Sequence, residues 1–77
     1  MNREIEKEIG NSIRKIRETM GMTQEMLSTK LQMAGCDITR SAVAKIEVGQ
    51  RHLYPAEIIL IKEILGTDFD SIFYGVK

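Results

Sequence analysis

TQEMLSTKLQMAGCDITRSAVAKIEV, Thr23 to Val48, carries two helix starts and, with the Gly49 that follows it, two helix stops in quick succession. Thr23 offers a hydroxyl N-cap, Glu25 puts a negative charge in the first turn, and Met22 and Leu27 have the spacing of a hydrophobic staple. Leu27, Leu31 and Ala34 share one face and Gly35 tolerates the left-handed stop, so a helix is expected from Thr23 to near Ala34. Thr39 repeats the cap, and Ile38 with Val43 repeats the staple. The second helix is expected over about Arg40 to Val48, ended by Gly49. Val43 and Ile46 point inward and leave Arg40, Ser41, Ala44 and Lys45 outward.

On the N-terminal side, Ile5, Ile9, Ile13, Ile16 and Met20 recur at helical spacing up to Gly21, predicting a helix over about Glu4 to Thr19. On the C-terminal side Gln50 to Tyr54 reads as a loop, and Pro55 suits a helix first turn because its missing N–H costs nothing there. The run Ile58-Ile59-Leu60-Ile61 would suit a buried strand, but a lone strand has no partner. Ile58, Ile61, Leu65 and the stop at Gly66 predict a helix from Pro55 to Leu65. Asp68 then caps a short last helix with Phe69, Ile72, Phe73 and Tyr74, closing at Gly75. The expected fold is all-α with five helices, and the five methionines are expected in its core.

With 77 residues, 43% hydrophobic and 29% charged, the composition is that of a globular protein and the length that of one domain, residues 1–77. The single cysteine, Cys36, has no internal disulfide partner, which points to a reducing compartment and to a small apolar filler. The start MNREIEKEIGNS lacks the apolar stretch of a signal peptide, and no window reaches a membrane span, so a cytoplasmic location is expected. One histidine, one cysteine, no phosphate-binding glycine loop and no metal-ligand cluster leave an enzyme little to stand on. No cofactor or metal is expected.

Zero net charge argues against a sequence-blind binder of nucleic acid. The charge is unevenly placed, however. Thr39 to His52 holds Arg40, Lys45 and Arg51 against Glu47 alone, while Leu53 to Lys77 is acidic on balance. A helix, a turn and a second short helix is an arrangement that presents one helix to the DNA major groove. The outer residues Arg40, Ser41 and Lys45 are types that donate to guanine or reach either base edge.

The blocks MTQEMLSTKL, ITRSAVAKIEVGQR and Gly66-Thr67-Asp68-Phe69-Asp70 resemble, in order and spacing, the repressor/Cro (Xre-like) helix-turn-helix domains. The resemblance covers about residues 9–74, with the helix-turn-helix at about 23–48. It implies a lambda-repressor-like fold and a transcriptional regulator, a repressor first, on double-stranded DNA. It also implies that Arg40, Ser41, Ala44 and Lys45 line the groove, Ala44 against a thymine methyl. Gln24 matches a glutamine that holds a phosphate, and Thr39 touches backbone or base. Arg17 and Glu47 match an ion pair bracing the first helix against the third. The connection from Leu31 to Thr39 is longer than the family's tight turn, implying that the second helix gains about a turn. Val48 stands where a polar phosphate contact is common.

Beside the resemblance, Arg51 and His52 are further phosphate candidates from the loop after the third helix. The cluster Phe69, Ile72, Phe73 and Tyr74 is large for so small a chain and suggests a homodimer on a palindromic operator. A different reading stays open, that of a helical protein-interaction module of antitoxin or adaptor kind.

Overall fold

The computed structural model describes residues 3–75. Among these residues there are five helices and no strand: α1 (Arg3–Thr19), α2 (Gln24–Met33), α3 (Arg40–Glu47), α4 (Pro55–Leu65) and α5 (Phe69–Tyr74). The all-α, five-helix reading of the sequence therefore holds. The isoleucine run of α4 is helical, with Ile61 and Leu65 buried.

The predicted starts of α2 to α5 have their physical cause in place. Thr23 Oγ1 accepts the Met26 amide at 3.0 Å, Thr39 Oγ1 accepts that of Ala42 at 3.2 Å, and Asp68 Oδ1 accepts that of Ser71 at 2.7 Å. Each such cap is worth about 1 kcal/mol. Both staples close on buried side chains, Met22 with Leu27 and Ile38 with Val43. At α4 the cap is supplied from inside the helix, where the Glu57 carboxylate accepts the Tyr54 amide at 3.0 Å.

α1 packs on α3 and α5, and α2 packs on α3 and α4. Their shared core is aliphatic: Ile13, Ile16, Met22, Leu27, Leu31, Ile38, Val43, Ile46, Ile61, Leu65 and Ile72. Several expectations are corrected here. Of the methionines only Met22 is in this core; Met20, Met26 and Met33 are exposed, and Met1 lies outside the described residues. Ile5 and Met20, at the two ends of the predicted stripe, are also exposed. Ala34 is an exposed C-cap residue, not part of the α2 inner face.

The long connection between α2 and α3 is tied down from inside. Buried Ser28 donates its hydroxyl to the Ile38 carbonyl at 2.7 Å, and the Gln32 amide reaches the same oxygen at 3.2 Å. The Cys36 amide returns to the Leu31 carbonyl at 2.9 Å, across Gly35 at φ +86°. Cys36 is half-buried against the core, as expected of an apolar filler, and burial pushes its thiol above the ordinary value.

Gly10 sets how closely α1 meets α3. A Cβ at this position would stand 2.1 Å from the Ile46 carbonyl oxygen. That neighbour is backbone, so it cannot swing away. We expect Gly10→Ala to destabilise by about 3 kcal/mol through overpacking, although alanine is by about 1 kcal/mol the better helix former. The melting temperature followed by circular dichroism should fall by about 10–20 °C; an unchanged or raised value would show that the helices are not held this close.

Candidate nucleic-acid interface

α3 divides cleanly between its two sides. Val43, Ile46 and Glu47 are buried, whereas Arg40, Ser41 and Lys45 are exposed and Ala44 is half-buried between them. Val48, the C-cap residue, extends the same open side. Among the described residues neither Arg40 nor Lys45 is in an ion pair, so both cations face solvent with their donors unspent. The side chain of Thr39 is committed to capping, and its residue is exposed at the start of the same face.

The buried side of α3 is held by charge. Arg17 on α1 forks onto Glu47, Nε to Oε2 at 2.7 Å and a terminal nitrogen to Oε1 at 3.0 Å. Its other terminal nitrogen donates to the Met22 carbonyl at 2.7 Å, at the entry to α2. Side-chain exposure is 9% for Arg17 and 1% for Glu47. At that burial the pair is a fixed part of the scaffold, with all three guanidinium nitrogens of Arg17 bonded within the chain. The Glu47 hydrogen bond raises the guanidinium pKa further, against the opposing effect of burial.

Gln24, the first residue of α2, is half-buried and donates its amide to the same Glu47 Oε1 at 3.0 Å. A cleft beside it is lined by Arg17, Glu18, Gly21, Met22, Thr23, Gln24, Glu25 and Arg40. The structure thus brings Gln24 and Arg40, two predicted site residues from different helices, to one cleft. The acidic members are Glu25 and Glu18, the latter 3.5 Å from Arg14.

Arg51 and His52 stand elsewhere and are engaged within the chain. Arg51 forks onto Glu57, both bonds at 3.0 Å, and donates to the His52 carbonyl at 2.8 Å. His52 Nδ1 contacts Glu6 on α1. Within the chain Arg51 is a strut between the α3–α4 loop and α4. The signal for this was present in the sequence, since Glu57 lies three residues past the cap of a proline-started helix, the capping-box position.

At α5 the predicted cluster splits. Ile72 is wholly buried and is corrected from interface to core, because its face of α5 turns toward α1. Phe69, Phe73 and Tyr74 remain exposed. The two phenylalanine rings stack with centroids 6.0 Å apart, and Lys62 Nζ lies 5.2 Å over the Phe69 ring. Ile59, also exposed, adds apolar surface on α4.

Among the described residues no cluster of His, Cys, Asp and Glu is arranged to hold a metal ion, and no helix is long and apolar enough to cross a membrane. In comparison with known proteins, a family model described as helix-turn-helix matches residues 13–72. No curated protein and no solved structure matches the chain.

Two outcomes follow from the ion pairs. Arg17→Met strands a buried carboxylate and should cost about 3–5 kcal/mol, while Arg17→Met/Glu47→Met should recover much of that loss. Chemical denaturation measures both, and a double variant no more stable than the single one would show that the buried charge is not the cause. At Glu57, the Arg51 guanidinium holds the carboxyl below its ordinary value of 4.5. A depressed folded pKa gives stability that is complete above the unfolded value and is lost as pH falls toward the folded one. Glu57→Gln should therefore flatten the fall of melting temperature below about pH 4.5. The slope that remains includes the contribution of Asp68, held low by its Ser71 amide bond. An acid limb as steep as that of the parent protein would remove Glu57 from this account.

Proposed function

The chain belongs to the helix-turn-helix family of repressor/Cro type, and on that premise we propose that it is a sequence-specific regulator of transcription, foremost a repressor, reading double-stranded operator DNA with α3. The observation that carries the reading is the open face of α3, where Arg40, Ser41, Ala44 and Lys45 stand together above a side locked by the Arg17–Glu47 fork. Arg40 and Lys45 donate to guanine O6 and N7, Ser41 reaches either kind of edge, and Ala44 meets a thymine methyl.

Contacts to phosphate set the register, and base contacts supply the selectivity. Gln24 takes one phosphate at the start of α2, where unpaired amides and the helix dipole favour an anion. Thr39 lies at the corresponding end of α3. His52 is a lesser backbone contact, and Arg51 serves the interface through the loop that it fixes.

The working unit is a homodimer built on Phe69, Phe73 and Tyr74, with residues 1–77 acting as one domain in the cytoplasm. The longest dimension of the described chain is 29 Å. Two copies side by side suit half-sites one DNA turn apart, roughly 34 Å. No step of this function calls for catalysis or a cofactor. The protein-interaction reading draws on one observation, the exposed Met26 and Met33 that line a shallow groove on α2 with Thr29 and Lys30.

Selection from a pool of random duplexes tests these readings together. The expected result is an enriched inverted repeat with centres about one helical turn apart, bound at least tenfold more weakly by Arg40→Ala/Lys45→Ala. A single enriched half-site would overturn the dimer. No enriched sequence, or an affinity indifferent to both substitutions, would overturn DNA reading by α3 and leave the protein-binding surface of α2 in its place.

A further inference from the structure

The Glu47 carboxylate is shared among three helices. It is carried by α3, it is clasped by Arg17 from α1, and its Oε1 also accepts the Gln24 amide from the first residue of α2. With side-chain exposure of 1% it has almost no freedom of its own. A carboxamide nitrogen carries two hydrogens. One is taken by Glu47, and among the described residues the second has no acceptor. The bond to Glu47 also fixes which end of the amide is nitrogen, a choice that a solvated glutamine would leave open. Gln24 and Arg40 border the same cleft.

We propose that Glu47 is a positioning residue for DNA binding, holding the Gln24 carboxamide so that its second N–H is turned to a phosphate. Because the holding carboxylate is part of α3, the phosphate captured at α2 and the helix that reads the bases are tied through one side chain. Glu47 touches no DNA; it acts through Gln24. This rests on the proposed reading of operator DNA.

The test is a double-variant cycle with Gln24→Ala and Glu47→Asp, using the duplex enriched in the selection and an unrelated duplex of equal length. Glu47→Asp keeps the charge that Arg17 needs and withdraws the carboxylate by one methylene. Gln24→Ala should weaken binding to both duplexes about tenfold, the weight of a hydrogen bond to a charged group. The salt dependence should not change, since a neutral donor displaces no counterion. On the unrelated duplex, where the aim of α3 does not count, Glu47→Asp should weaken binding in the parent protein and have no further effect in the Gln24→Ala background. In the nitrogen-proton NMR spectrum, the Gln24 side-chain protons should stand apart in the free protein, with one of them moving on addition of DNA. That measurement on the unaltered protein decides the matter if Glu47→Asp does not fold.

Additive losses from the two substitutions would overturn the positioning role while leaving Gln24 as a contact. An unchanged affinity in Gln24→Ala would overturn it by removing the contact, with DNA reading by α3 intact. Failure of the parent protein to prefer any duplex would instead overturn the reading beneath it.

Discussion

A carboxylate sealed from water must be paired, and the way Glu47 is paired organises the protein. Isolated, it would cost several kcal/mol to bury. Clasped by Arg17, with the guanidinium also bonded to the Met22 carbonyl, it joins α1, the entry of α2 and the underside of α3. Apolar packing is tolerant of small slides, whereas a forked ion pair is not. The aliphatic core around Ile13, Leu31 and Ile46 supplies the larger share of the driving force, and the fork decides the angle at which α3 is presented.

The same economy of charge explains how a chain of zero net charge offers a basic face. Arg14, Arg17, Arg51 and His52 are each set against a carboxylate of the chain, through Glu18, Glu47, Glu57 and Glu6. On α3 the arrangement differs, because the acidic residue is buried and the two cations are outside. A partner meeting this surface meets a local field with little long-range attraction behind it. Such a balance suits selectivity over sheer affinity, since sequence-independent binding grows with the number of free cations.

Much of this was legible beforehand because it is local. Caps at Thr23, Thr39 and Asp68, the staples, and the stops at glycine are written in neighbouring residues, and the α4 boundaries fall at Pro55 and Leu65 as its proline and glycine signals require. The open face of α3 follows from period alone. What could not be read is what depends on a distant partner. Ile72 and Phe73 are alike in sequence and opposite in fate, one sealed against α1 and one in solvent. Met26 and Met33 share a hydropathy with Met22 but lie on an exposed side of α2. Nothing near Ser28 in the chain marks it for burial, which depends on the carbonyl of Ile38, ten residues on.

The close approach at Gly10 has a consequence for how such a protein can diverge. At the point where two helices touch backbone to backbone, no exchange of side chains can change their spacing, because there is no side chain there to exchange. The aim of α3 is inherited as a fixed quantity. A lineage acquiring a new target is left with the outward residues as its only alphabet, and its history should be written at positions 40, 41, 44 and 45 while position 10 stays silent.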